Sequence, residues 1–159
     1  RPMSSLRQRP KFLETNTFHT AMKQLSRAHV GLYRRTRGKL GATMPVSARL
    51  WLPVCLLTHA GRKSGIPRVT PLLFMPDAER VVLFAAQGGL PQHPQWYLNL
   101  KADPDCTIQV GSQVRRLKAR TASAAEREAL WPRMKQHYPG WGAYQSWCER
   151  EIPVVICEP

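Results

Sequence analysis

Leu56-Leu57-Thr58-His59-Ala60-Gly61-Arg62-Lys63-Ser64-Gly65-Ile66-Pro67-Arg68 is the stretch around which this chain is organised. An apolar run ends at Gly61, a polar triplet follows, and Gly65 and Pro67 send the chain back out. Glycine and proline punctuate turns, so two strands joined by a tight loop are expected. Arg62, Lys63, Ser64 and Arg68 set three cations and a hydroxyl within seven residues. Glycines let backbone amides face a ligand, and guanidinium forks match clustered anionic oxygens. A phosphate-holding loop is one reading, and a hairpin turn with solvated charges is the other. The glycine spacings of a P-loop and of a dinucleotide fingerprint are absent.

Outward from this loop, residues 50–59 and 69–75 read as the flanking strands. Residues 77–80 read as a turn and 81–86 as the next strand. Residues 106–110 and 113–122 pair around Gly111, and 152–156 form the last strand. Short strands at this spacing predict an antiparallel barrel or sandwich. Helical segments interrupt them. Residues 93–101 carry Pro94 in a first turn, where its missing donor costs nothing. Ser123-Ala124-Ala125-Glu126 is a capping box opening a helix through Trp131, which Pro132 should end or kink. Residues 141–150 form an aromatic-rich third helix.

Upstream, Asn16 or Thr17 caps a helix running to about Arg35, with Gly38 at its end. Phe18, Met22, Leu25, His29 and Leu32 share one face, predicted to pack on the domain. Lys23, Arg27 and Arg34 lie elsewhere on the helix. That basic face is either solvated, or holds an anionic ligand tail, or rests on a membrane surface. Residues 1–15 read as a flexible basic tail, and 16–159 as a single domain led by this amphipathic helix.

The 159 residues are 43% apolar, enough for one domain with a real core. The four cysteines lack metal-ligand or redox spacing and read as free thiols of a cytoplasmic protein. No apolar run approaches the ~20 residues that span a bilayer. Net charge is +14, of which residues 1–40 carry +9. That balance favours an anionic partner: nucleic acid, anionic lipid or a polyanionic small molecule.

No recognisable catalytic set is present. The five histidines are scattered, none paired as on a zinc helix, and no metal site is expected. No serine sits in a nucleophile elbow, and acids are few. This points to binding, or to chemistry carried by a cofactor. Tyr138, Trp141 and Tyr144 are spaced three apart and would form one helical stripe. Such a stripe either packs a core or walls a flat heteroaromatic ring.

Taken in order, Gly61 to Gly65, Pro67-Arg68, Gly88-Gly89, Pro94-Gln95-Trp96-Tyr97-Leu98-Asn99-Leu100, Asp103-Pro104, Gly111 and Arg150-Glu151-Ile152-Pro153-Val154-Val155 carry a resemblance. Over roughly residues 15–159 the chain resembles the deazaflavin-dependent nitroreductase family of actinobacteria. The resemblance implies a mainly β fold with flanking helices, a split β-barrel like that of FMN-binding pyridoxamine-phosphate-oxidase-like proteins. It implies coenzyme F420, a deazaflavin with a phosphate and an oligoglutamate tail. Arg62, Lys63, Ser64, Gly65 and Arg68 would hold the phosphate side, and Gln87, Gly88, Trp96 and Asn99 would complete the cofactor pocket. Leu73, Ala86, Tyr138, Trp141 and Tyr144 would line the substrate cavity, with Tyr138 or Tyr144 as the catalytic hydrogen-bond donor. The implied reaction is hydride transfer from C5 of the reduced deazaflavin to a flat acceptor.

The chain departs from the family pattern at three places. Ala86-Gln87 replaces a Ser-Lys pair, Trp141 stands where a tyrosine is usual, and Leu73 replaces a tyrosine found in some members. These changes favour a quinone as acceptor, with nitroaromatics incidental. Three other readings compete: an FMN-binding reductase of the same fold, a non-enzymatic cofactor-binding protein, and a nucleic-acid-binding module. The last is disfavoured because the charge gathers at the N-terminus and the aromatics near the C-terminus, not interleaved. Peripheral contact of the basic helix with an anionic membrane would suit a lipid-soluble quinone.

Overall fold

Leu50–Ala60 (β2) is the longest strand, and three others pair with it. These are Thr43–Ser47 (β1), Pro67–Leu73 (β3) and Asp105–Val110 (β6). The computed structural model describes residues 10–159. With Met75–Asp77 (β4), Arg80–Phe84 (β5), Gln113–Thr121 (β7) and Val154–Glu158 (β8), the sheet runs β1-β2-β6-β7-β8-β5-β4, and β3 also pairs with β2. Every pairing is antiparallel. Phe74 joins β3 to β4, but among the described residues no ladder pairs them, so the barrel is split. This is the expected fold class.

The apolar run at 81–86 is continuous because both faces of β5 are covered. Val81, Leu83 and Ala85 point into the barrel core with Cys55, Leu57 and Val155. Val82, Phe84 and Ala86 point into a second core against Met134 and Trp141. Residues 154–157 divide the same way, Val155 and Cys157 facing one core and Val154 and Ile156 the other. Three of the four cysteines are buried in the barrel core.

Among the described residues four α-helices flank the sheet: Asn16–Arg35 (α1), Gln95–Ala102 (α2), Ala124–His137 (α3) and Pro139–Ser146 (α4). The capping box is present, with Ser123 Oγ accepting from Glu126 N–H. Pro132 does not stop α3. Leu130 and Met134, 5% and 0% exposed, anchor the helix on both sides of it, and that packing outweighs the lost hydrogen bond. Pro94 is the cap of α2 and not a first-turn residue. The last helix closes at Ser146, four residues early, and Gln145 and Arg150 stitch the following loop. Residues 69–75 are not one strand: at Phe74 the chain leaves β2 for β5. β1 was not foreseen because it contains Pro45, which an edge strand tolerates.

Thr15, not Asn16 or Thr17, caps α1, accepting from Phe18 N–H at 3.3 Å. Gly38 ends its last turn, donating to Tyr33 O at 2.8 Å. The expected packing face is only partly right: Met22, Leu25 and Leu32 are 45%, 63% and 46% exposed. The anchor is Tyr33, fully buried, which rolls the helix onto the neighbouring stripe of Ser26, Val30 and Tyr33. The first nine residues of the expected tail lie outside the described residues, and Lys11–Glu14 form one 3-10 turn.

Candidate cofactor site

The β2–β3 loop closes through its own backbone. Gly61 N–H donates to Ile66 O at 3.0 Å, and Gly65 N–H to Gly61 O at 2.7 Å. Gly65 has φ of 67°, left-handed geometry that glycine adopts without strain. Ser64 Oγ accepts from Ile66 N–H at 3.2 Å. The turn sets Arg62, Lys63 and Ser64 at its tip, and strand register puts Arg68 opposite His59.

Helix α2 fixes the orientation of Arg62. Asn99 Oδ1 accepts from Arg62 N–H and from Arg62 Nη1, each at 3.1 Å, and Gln95 Oε1 accepts from Nη1 at 2.8 Å. Asn99 Nδ2 in turn meets His59 Nδ1 at 3.1 Å, and His59 Nε2 meets Thr70 Oγ1 at 3.2 Å. Burial holds the imidazole pKa of His59 below its ordinary value; the charge of Arg68 adds to this and the Ala60 backbone opposes it.

These residues border an open cavity of about 760 Å³, within the range of small-molecule sites. Lys23, Ser26, Arg27 and Val30 of α1 form one wall, and the loop, β3 and α2 form the others. Five cationic side chains line it (Lys23, Arg27, Arg62, Lys63 and Arg68), with no carboxylate. None of the five enters an ion pair among the described residues. Trp96 adds an indole.

Gln87, Gly88 and Gly89 have successive φ values of 46°, 63° and 77°. Arg150 clamps this segment, donating to the carbonyls of Ala85, Ala86, Leu90 and Gln92 at 3.1–3.2 Å. Gln87 lines the cavity. A Cβ on Gly89 would stand 2.9 Å from Tyr144 O, so this glycine lets α4 approach from the other side.

Of the nine residues expected to hold the cofactor, seven line the cavity; Gly65 and Gly88 support it from the backbone. The five expected substrate residues lie together elsewhere. Leu73, Ala86, Tyr138, Trp141 and Tyr144 belong to the second core, and none lines the cavity. Trp141 is only 3% exposed, its ring 5.7 Å from Phe84, so it presents no open wall. Ala86 is likewise closed off. Tyr138 and Tyr144 are half-buried with hydroxyls 3.3 Å apart. Burial and the Tyr138 hydroxyl push the Tyr144 phenol pKa upward, so it stays a donor. Lys23 and Arg27 come from the basic helix face that the sequence offered as one possible holder of an anionic tail, whereas Ser26 and Val30 beside them were missed. The i, i+3, i+4, i+7 spacing of the four was the available signal.

A sequence model of the F420H(2)-dependent quinone reductase family matches residues 25–159. An F420H(2)-dependent quinone reductase of Mycobacterium tuberculosis is 35% identical over 136 residues, covering 84% of this chain and 89% of the relative. A second protein of that organism, provisionally given the same name, is 45% identical over 108 residues, covering 68% and 91%. Among solved structures, an F420-H2 dependent reductase superposes with a TM-score of 0.63 at 38% identity, covering 67% of this chain and 94% of that one.

Proposed function

Because this chain belongs to the F420H(2)-dependent quinone reductase family, we propose that it binds coenzyme F420 in the cavity beside α1 and passes a hydride from it to a quinone. One observation carries this: five cations and no carboxylate around a single cavity of about 760 Å³, a donor set suited to a phosphate with a polycarboxylate tail. The reduced coenzyme, when bound, supplies the hydride. Arg62, Lys63 and Arg68 hold the phosphate, and Lys23 and Arg27 hold the tail. Trp96 and Gln87 orient the ring system, and Asn99 and Gln95 keep Arg62 extended. Tyr138 and Tyr144 donate a hydrogen bond to the acceptor oxygen as it gains charge. Gln87 lines the cavity and Gly89 abuts Tyr144 O on the other side, so in this reading the quinone bridges the Gln87–Gly89 segment. Nitroaromatics are slower acceptors in this reading.

The test follows oxidation of reduced F420 by a soluble naphthoquinone. Wild-type turnover is expected, with the Tyr138→Phe, Tyr144→Phe double variant lowering kcat by about 10²-fold. Unchanged kcat in that variant would remove the tyrosines from the reaction, and no turnover with any quinone would remove the acceptor class.

We also propose peripheral contact with an anionic bilayer. The exposed Met22, Leu25 and Leu32 on α1, with Arg35 in its last turn, support it. No helix among the described residues is long and apolar enough to cross a membrane. Flotation with phosphatidylserine-containing vesicles is expected for the wild type and is expected to be lost in Met22→Ser, Leu25→Ser. F420 binding should survive, since neither side chain lines the cavity. Equal flotation of both proteins would reject the helix as anchor.

A further inference from the structure

We infer that His59 is a positioning residue, a neutral imidazole with its proton on Nε2, which commits the Thr70 hydroxyl to donate a hydrogen bond into the cavity. The inference rests on the reading that the cavity binds F420. It also adds two residues, His59 and Thr70, that the sequence reading did not assign.

The direction of each bond follows from its neighbour. Arg62 offers only donors, and two of its N–H groups converge on one Asn99 side-chain atom. That atom must be the oxygen, because a flipped amide would set NH2 against N–H. Asn99 Nδ2 therefore faces His59 and donates, so His59 Nδ1 carries a lone pair. A neutral imidazole with an unprotonated Nδ1 carries its hydrogen on Nε2. That hydrogen points to Thr70 Oγ1, which accepts it. Among the described residues the Thr70 hydroxyl has no other side-chain partner, and Thr70 lines the cavity. Its own hydrogen is left for a ligand acceptor.

Burial and two nearby guanidinium groups disfavour a protonated His59, and only the Ala60 backbone works against them. The ring is 4% exposed, Arg68 faces it across the β2–β3 ladder, and Arg62 stands behind Asn99. Cys106 is its register partner on β6, where the thiol donates to Leu117 O and its sulfur is at most a weak acceptor. The result is a chain of aligned donors from the Arg62 guanidinium through Asn99 and His59 to Thr70. Such chains polarise one another and strengthen the last donor. The acceptor it would meet is an oxygen or nitrogen lone pair of the bound deazaflavin, and a C–H edge would be disfavoured there. Arg62 thus has two roles: it faces the anionic part of the ligand directly, and it sets the polarity of a hydroxyl on the far wall.

The test uses the full chain in two arms. First, a long-range ¹H–¹⁵N correlation spectrum of the free protein at neutral pH reads the His59 tautomer, assigned by loss of its signals in His59→Gln. A pyridine-like Nδ1 with a pyrrole-like Nε2 is expected; a protonated Nδ1 overturns the inference. Second, F420 is titrated into Thr70→Val and Thr70→Ser. Valine keeps the shape without the hydroxyl and should weaken binding about tenfold, while serine should stay within about twofold of wild type. Wild-type affinity in Thr70→Val overturns the donor role. If wild-type protein fails to bind F420, the cofactor reading falls with the ligand half of the inference, and the tautomer spectrum still decides the relay.

Discussion

Replacing Arg62 with alanine should raise the Kd for coenzyme F420 by about 10²-fold and leave the fold intact. The side chain is exposed and makes no contribution to either core, so its loss has little to unfold. In the site it is held by Gln95 and Asn99 with its guanidinium bordering the cavity. A charge-assisted hydrogen bond contributes about 1.5–3 kcal/mol, and Arg62 is able to offer two in fork geometry. A loss of about 2.7 kcal/mol corresponds to 10²-fold in affinity. Arg62→Lys restores the charge without the fork and should recover about half of that free energy. Calorimetric titration of the three proteins, with thermal unfolding as control, reads both quantities. Alanine and wild type binding alike would show that the ligand sits elsewhere.

Tyr33→Ala should lower stability by about 4 kcal/mol, the largest fold effect expected from one side chain. Tyr33 has no exposed surface, and its hydroxyl donates to Val54 O at 3.0 Å and accepts from Gly111 N–H at 2.7 Å. It thereby ties α1 to both β2 and the β6–β7 hairpin. Gly38, just past α1, presses on the same hairpin: a Cβ there would stand 2.4 Å from Gly111 Cα. Truncating Tyr33 leaves a cavity and two unpartnered backbone groups. For a chain of this size the melting temperature should fall by about 10 °C. Tyr33→Phe keeps the ring and orphans only the polar groups, costing about 2 kcal/mol. Because Lys23 and Arg27 ride on α1, Tyr33→Ala should also weaken F420 binding below its own Tm. A melting temperature within 2 °C of wild type would contradict this account of the anchor.

These two residues mark what was and was not legible. Arg62 stood in a polar triplet between glycines, so both its exposure and its chemistry could be read locally. The runs at 81–86 and 152–156 were legible as strands to within two residues at each end, β5 and β8 being Arg80–Phe84 and Val154–Glu158, because burial on two faces leaves no polar alternation to misread. Tyr33 was not legible as an anchor. The apolar stripe of Phe18, Met22, Leu25 and Leu32 is the stronger periodic signal on α1, yet most of it faces outward. What decides the roll of the helix is a hydroxyl bonded to two backbone groups far off in sequence, and periodicity carries no information about such bonds. Pro132 shows the same limit, since two buried neighbours override a local rule. His59 and Thr70 meet diagonally across β2 and β3, and Asn99 is forty residues away on α2, so their network is a product of strand register and helix packing. The aromatic trio was legible as a cluster but not as a closed one. Packing on Phe84 removes Trp141 from any open surface.

The most direct test is a parallel titration of the purified chain with coenzyme F420 and with FMN, followed by tryptophan fluorescence in wild type, Trp96→Phe and Lys63→Ala, Arg68→Ala. Saturable quenching by F420 at one equivalent per chain is expected, diminished in Trp96→Phe and lost in the double alanine variant. Tighter binding of FMN, or F420 quenching that persists without Lys63 and Arg68, would contradict the assignment of this cavity.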